Sequence, residues 1–329
     1  MPSFMGDGLV ALISGFDDEG ASGGMFAYDG RKVDQLDELP CTGLGVQDGM
    51  LARVLRRPEA VSRAALLLHD SDGDVTDVAV DDLVDPHDIL WTGDAYAIAC
   101  AGANKIVFVS PGGEVNRVWE APGVGDAWHL NGLLLVDGEL HVSAFGKYER
   151  HRGWNEPDAD PAAGLVLNLA TGRDVVTGLS SPHHPRLVDD EWIVCNSGRR
   201  ALTRIDAESG SVEAEIVLDG WTRGLAVLDG FLLVGESPPH RAERRLGRAW
   251  QWSTPGRGRS STALAFPRVR STTSCLDRPS SPGPFDARAR ESPPPANAPA
   301  PDARSLAHLA DGTKRNATWA PSCLVSAKP

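Results

Sequence analysis

Histidine recurs just ahead of apolar runs along the first 240 residues: His87 and Asp88 in DPHDILW, His129 and Asn131 in AWHLNGL, His183 and His184 in SPHHPRLVDDEW. Thr222 and Arg223 hold the matching place in GWTRGLAV. Imidazole titrates near neutral pH, so this set suits acid–base work, with His129, His183 or His184 as the base. Neutral imidazole equally ligates a divalent transition metal. The candidates there are His87, His129 and His183, with Asp88 or Glu236 as an oxygen ligand or a hydrogen-bonded support. Arg223 can clamp a carboxylate, phosphate or sulfate by a two-point contact. The same residue types also cap loops and satisfy backbone groups around a wet channel. No contiguous metal-ligand motif decides between these uses.

The elements that must carry these residues are short β-type runs separated by Gly and Asp turns, without long helical periodicity. Similar units open at Cys41, His87, His129, His183 and Thr222, at intervals of 46, 42, 54 and 39 residues. Each reads as strand, tight turn, strand, loop, strand, tight turn, strand. The first turns are TGDA, VDGE, VDDE and LDGF, and the second turns include PGGE, ATGR and ESGS. Gly supplies positive φ in such hairpins, and Asp bonds to backbone two residues on. A four-stranded unit at this period marks a propeller blade. The expectation is therefore an all-β, six-bladed β-propeller, with GLVALISG and GGMFAYDGRKVDQL closing the ring.

In such a ring the connection into each inner strand and the loop between the second and third strands share one face of the disc. The sequence then predicts that the histidine-bearing segments converge on one mouth of the central channel. Asn104, Lys147, Asn196, Ser197 and Glu236 would join them, with Tyr148, His151, Arg152 and Trp154 on the long insertion YERHRGWNEPDADPAAG. The ligand-binding set is thus His87, Asp88, Asn131, Arg223, Asn196, Lys147 and Trp154. Convergent polar groups in a concavity are the default small-molecule site.

Composition narrows the partners. The chain has 329 residues, 41% of them apolar, and a formal net charge of −13. That acidity excludes a general nucleic-acid or anionic-membrane binder, which needs a basic footprint. Five cysteines without CxxC spacing give no disulfide or zinc framework, and a cytoplasmic protein is expected. The average hides a break. Residues 1–240 carry 17 Lys+Arg against 39 Asp+Glu, whereas residues 241–329 carry 15 against 6 and 12 of the 24 prolines. The first stretch reads as the propeller and the second as a disordered, low-complexity tail. Back-translating AWQWSTPGRGRSSTALAFPRVRSTTSCL with chosen codons and shifting by two bases permits MAVVDAGTWTLVDSVGVPAREVYDLVL, which alternates like paired strands. The tail is therefore also readable as a frame-shifted replacement of the last blade.

The ordered set HDILW, WHLNGL, GKYERHRGW, TGLSSPHHPRLVDDEWIVCNSG and GWTRGLAV resembles the bacterial propeller family called domain of unknown function 4915, over about residues 10–237. The resemblance implies a six-bladed propeller similar to gluconolactonase and strictosidine-synthase-like propellers, continuing past GES into a further blade that ends in a REVYDL-like segment. It implies no set reaction. The metal ligands of the lactonases do not carry over, because their Glu and Asn positions have no convincing counterparts here. Three functions stay open: a lactonase-like hydrolase or binder of a carbohydrate-like or anionic ligand, a non-catalytic interaction module, and a frame-shifted product without function.

Overall fold

The computed structural model describes residues 10–16, 23–29, 32–47, 49–56, 64–80, 83–228, 231–237, 262–267 and 324–326. The expected disordered tail, apart from two short strands, lies outside the described residues. Among the described residues there is no α-helix, only three single-turn 3-10 segments.

Strands β1 (Ala11–Phe16), β2 (Gly23–Tyr28) and β3 (Val33–Gln35) open the fold. Then come four successive four-stranded sheets. They are β4 (Cys41–Gln47) to β5 (Met50–Arg56), β6 (Ala64–His69) and β7 (Val75–Ala79); and β8 (Pro86–Trp91), β9 (Tyr96–Cys100), β10 (Lys105–Val109) and β11 (Val115–Glu120). After them follow β12 (Leu130–Val136), β13 (Glu139–Ala144), β14 (Gly164–Asn168) and β15 (Asp174–Leu179), then β16 (Pro182–Val188), β17 (Glu191–Asn196), β18 (Ala201–Asp206) and β19 (Val212–Val217). A three-stranded sheet joins β20 (Trp221–Leu228), β21 (Phe231–Ser237) and β22 (Thr262–Pro267). β23 (Leu324–Ser326) pairs in parallel with β1 and gives that first sheet its fourth strand. Five four-stranded blades thus stand in a propeller arrangement.

The blades form because both faces of their middle strands are buried. In β9, Ala97 and Ala99 pack with Leu130, Val142 and Leu167 of the following blade, whereas Tyr96, Ile98 and Cys100 pack with Val54 and Leu66 of the preceding one. Period-two geometry sends alternate side chains to opposite sheets, so the run YAIAC is apolar throughout. The outer strands behave differently: β11 and β19 leave Val115, Val118, Val212 and Val217 exposed among charged neighbours. Charge on an outer strand discourages pairing with another chain.

One irregularity repeats at the top of five inner strands, β4, β8, β12, β16 and β20. Pairing slips by one residue between Cys41 and Gly43, Pro86 and Asp88, Leu130 and Leu133, His183 and Arg186, and Thr222 and Gly224. Such a bulge leaves a residue unpaired in the ladder and re-aims its side chain. The residues within or beside these bulges are Thr42, His87, Asn131, His184 and Arg223, so the fold singles out the same stretch of each blade that the sequence does.

Two expectations need correction. The sequence sets the histidines in the connections ahead of the inner strands, but His87 lies inside β8 and both His183 and His184 lie inside β16. Backbone pairing simply starts earlier, with Pro86 opposite Cys100 and Pro182 opposite Asn196. His129 is also not the counterpart of His87 and His183. It stands two places earlier, level with Asp85 and Ser181, and shares with them a left-handed backbone at φ 51°, 48° and 47° respectively.

Candidate functional site

His129 is the best-defined group of the cluster. Its Nδ1 lies 2.8 Å from Asp126 Oδ1, and both residues are buried. Donation from Nδ1–H to the carboxylate fixes the tautomer that leaves Nε2 as the basic nitrogen. Asp126 does more. Its carboxylate accepts a hydrogen bond from Arg152 Nε at 3.2 Å, and its backbone carbonyl accepts one from Trp154 Nε1 at 3.0 Å. The ring of His129 sits 4.1 Å from Phe145 and 4.5 Å from Trp154, with His87 edge-on at 4.8 Å. The long insertion is thereby anchored to His129 through Asp126. A left-handed backbone at a non-glycine residue stores strain that surrounding contacts must hold, a condition found often at functional sites.

His183 has a different job. Arg223 Nη1 donates to His183 Nε2 at 2.6 Å, while His183 Nδ1 lies 2.9 Å from the Ser181 carbonyl and 2.8 Å from Ser197 Oγ. Ser197 in turn donates to the Thr222 carbonyl. Consistent donation around this network requires a neutral imidazole protonated on Nδ1. Its Nε2 lone pair is spent on the guanidinium, which removes His183 as base or metal ligand and makes it the residue that positions Arg223. Arg223 is 3% exposed, also donates from Nε to Ser237 Oγ at 3.2 Å, and lies 4.6 Å over the Trp221 ring. Phe145, 5.4 Å from His183, joins this network to the His129 group.

A third group lies along the inner strands. Asp88 accepts the Leu133 N–H at 2.8 Å across the blade boundary and sits 4.0 Å from His184 Nε2. Arg186 donates to the Pro185 carbonyl. Burial pushes the His184 pKa down, and Arg186 adds to that effect while Asp88 opposes it. Burial likewise lowers the pKa of Arg186. The His184 backbone is at φ 38°, and a Cβ on Gly132 would fall 2.4 Å from its nitrogen. Only glycine lets the two inner strands approach that closely. Among the described residues, His184 Nδ1 and Asn131 Nδ2 are buried without a hydrogen-bond partner.

Other expected site residues are committed elsewhere. Lys147 pairs with Asp174 at 2.7 Å. Asn196 accepts the Ser180 N–H and donates to Thr203, and Asn104 ties the segment 121–128 through three bonds. Glu236 accepts the Gly220 N–H. These are blade-to-loop clamps. Among the described residues, no three His, Cys, Asp or Glu side chains are arranged to hold a metal ion. The donor set does not fit one: His129 Nδ1 faces Asp126, His183 Nε2 faces Arg223, and His87 Nε2 lies 3.4 Å from Asp85 Oδ2. Sequence reasoning passed over Asp126, Asp85 and Phe145. The available signals were an aspartate three residues before His129 and another two before His87.

The family profile described as Domain of unknown function (DUF4915) matches residues 77–249, more than half of the chain. The chain belongs to this family. The DUF4915 match contains the strands that carry His87, His129, His183, His184 and Arg223, and it runs past the end of β21. No curated protein matches the DUF4915 chain. Among solved structures, that of the nidogen/laminin complex aligns with a TM-score of 0.51 at 12% identity, over 69% of this chain and 84% of the other. The WD40 β-propeller domain of Doa1 aligns at 0.45 and 13%, over 69% and 76%. The first likeness shows the fold alone. No helix among the described residues is long and apolar enough to cross a membrane.

Proposed function

We propose that the mouth binds a small polar ligand and hydrolyses a lactone-like ester in it, with His129 as general base and Arg223 as the oxyanion clamp. The observation that carries this reading is the buried Asp126–His129 pair, 2.8 Å apart, walled by Phe145 and Trp154. In the reaction, His129 Nε2 takes a proton from water as the water oxygen bonds to the lactone carbonyl carbon. The carbonyl π pair moves onto oxygen, where Arg223 stabilises it. Collapse re-forms the carbonyl and breaks the ring C–O bond, and the leaving alkoxide takes the proton back from His129 to give a hydroxy acid. Asp126 holds the imidazolium that exists between the two transfers. The test is steady-state hydrolysis of D-gluconolactone by the full-length chain and its His129→Gln variant. Loss of about 100-fold or more in kcat with folding retained supports the reading. Equal rates in both overturn it.

The complete ring in this reading has six blades in a cytoplasmic protein. The support is one odd ladder. Each of the other inner strands, β4, β8, β12, β16 and β20, pairs antiparallel with its neighbour, but β23 runs parallel to β1. A frame-shifted tail accounts for this, since the slot beside β1 would then be filled by a segment not encoded for it. The family match ending at residue 249 falls where the shifted-frame reading begins.

A further inference from the structure

The insertion between β13 and β14 holds Asp126 by its backbone and by its side chain. The Asp126 N–H donates to His151 Nδ1 at 3.1 Å, and the Asp126 carbonyl accepts the Arg152 N–H at 2.8 Å and the Trp154 Nε1–H at 3.0 Å. These three bonds seat the backbone. They do not aim the carboxylate, because the last torsion of an aspartate is broad and roughly two-fold. Oδ1 accepts the His129 Nδ1–H at 2.8 Å and stands 3.4 Å from Trp154 Nε1, whose shorter bond goes to the carbonyl. Oδ2 accepts the Arg152 Nε–H at 3.2 Å, the one donor it meets among the described residues. Arg152 reaches it from a left-handed backbone at φ 55°, uncommon for a residue with a Cβ, at the start of the 3-10 turn Gly153–Asn155. The Arg152 side chain is 55% exposed and that of Asp126 only 2%.

We infer that Arg152 is a positioning residue for His129: its Nε–H pins Oδ2, fixes the plane of the Asp126 carboxylate and so keeps Oδ1 aimed at His129 Nδ1. A carboxylate accepts at both oxygens, so one hydrogen bond on each leaves it no free swing about its last torsion. Arg152 acts through Asp126 and not on the reacting atoms. Its consequence for turnover rests on His129 being the base proposed above, whereas its consequence for the imidazole follows from the Asp126–His129 pair alone. The two ways in which Arg152 meets Asp126 can be separated. Its backbone N–H stays when the side chain is replaced, so the seat of the Asp126 backbone survives loss of the guanidinium. The side chain is also exposed enough that its loss removes little packing.

The experiment compares Arg152→Met, which removes the donor, with Arg152→Gln, whose side-chain nitrogen sits where Nε stands along the arginine chain. Full-length chains labelled with 15N in histidine and tryptophan are followed by NMR, the His129 Nδ1–H signal being assigned by its loss in His129→Gln, beside steady-state hydrolysis of D-gluconolactone. The expected result for Arg152→Met is a weakened or shifted Nδ1–H signal, a Trp154 indole signal in its wild-type place, and kcat lower by about tenfold with KM little changed. Arg152→Gln is expected to recover both the signal and the rate. A wild-type Nδ1–H signal in Arg152→Met overturns the inference, as does failure of Arg152→Gln to recover that signal. A displaced Trp154 indole signal in Arg152→Met overturns it too, because the guanidinium then anchors the insertion rather than the carboxylate. If the Nδ1–H signal moves and returns as expected while lactone turnover is absent or unaffected, the positioning stands and the lactone reading falls. Should Arg152→Met not fold, Arg152→Ala, which also lacks the donor, is read by the same signals.

Discussion

Asp126 holds His129 Nδ1 at 2.8 Å while Phe145 and Trp154 cover the imidazole faces, so the ring has one tautomer and one orientation. Replacing Asp126 by Asn keeps the shape but offers Nδ1–H a weaker acceptor and no counter-charge. Lactone turnover is expected to fall about 100-fold with substrate binding little changed, measured as kcat against KM. The buried histidines set a pH dependence of stability. The pKa values of His69, His141 and His184 are each lowered from 6.5, burial being the leading cause. The unfolded chain therefore binds protons that the folded chain refuses. Stability is whole above pH 6.5 and is lost as pH falls below it toward the depressed values. Urea midpoints taken between neutral and mildly acidic pH are expected to fall, and His184→Gln is expected to flatten part of that slope. A midpoint independent of pH would contradict the assignment.

At the scale of strands, the site depends on five repeated bulges and on one close contact between the inner strands β12 and β16. Gly132→Ala would place a Cβ 2.4 Å from the His184 nitrogen. Since the neighbour is backbone, relief requires moving β16, and a loss of about 1–3 kcal/mol in denaturant unfolding is expected. Between the first two blades, Arg53 on β5 is 1% exposed and meets Asp37 in a two-point pair at 2.6 and 3.0 Å. Asp37→Ala leaves that guanidinium buried and alone, so about 3 kcal/mol of stability should disappear by the same measurement. The strands themselves were legible in sequence. HDILW, LNGLLL and PRLV fall within or at the start of β8, β12 and β16, because their alternation and bounding turns are local properties. The bulges were not, for a one-residue slip depends on the partner strand. This is why His183 read as a base: only the fold shows that Arg223, 40 residues on, occupies its Nε2. Asp126 was legible in principle three residues before His129, yet nothing local says its carboxylate turns inward.

For the molecule as a whole, five blades and the family membership agree with the repeat read from turn spacing, while closure of the ring involves β23 in a parallel ladder. An inner strand laid in the wrong direction pairs less completely and leaves edges open. On the proposed frame shift, a chain whose frame is restored from about codon 249 is expected to melt higher and aggregate less than the present one. Sequencing the nucleotides around codons 238–252 checks the premise: a second frame that does not encode alternating strands removes it. The central claim, a ligand site at the mouth, does not wait on that result. It is tested most directly by calorimetric titration of the full-length chain with D-gluconolactone under conditions of slow turnover, beside the double variant His129→Gln with Arg223→Met. The expected result is one saturable site in the wild type that vanishes in the folded double variant; equal binding by both proteins, or by neither, would contradict the claim.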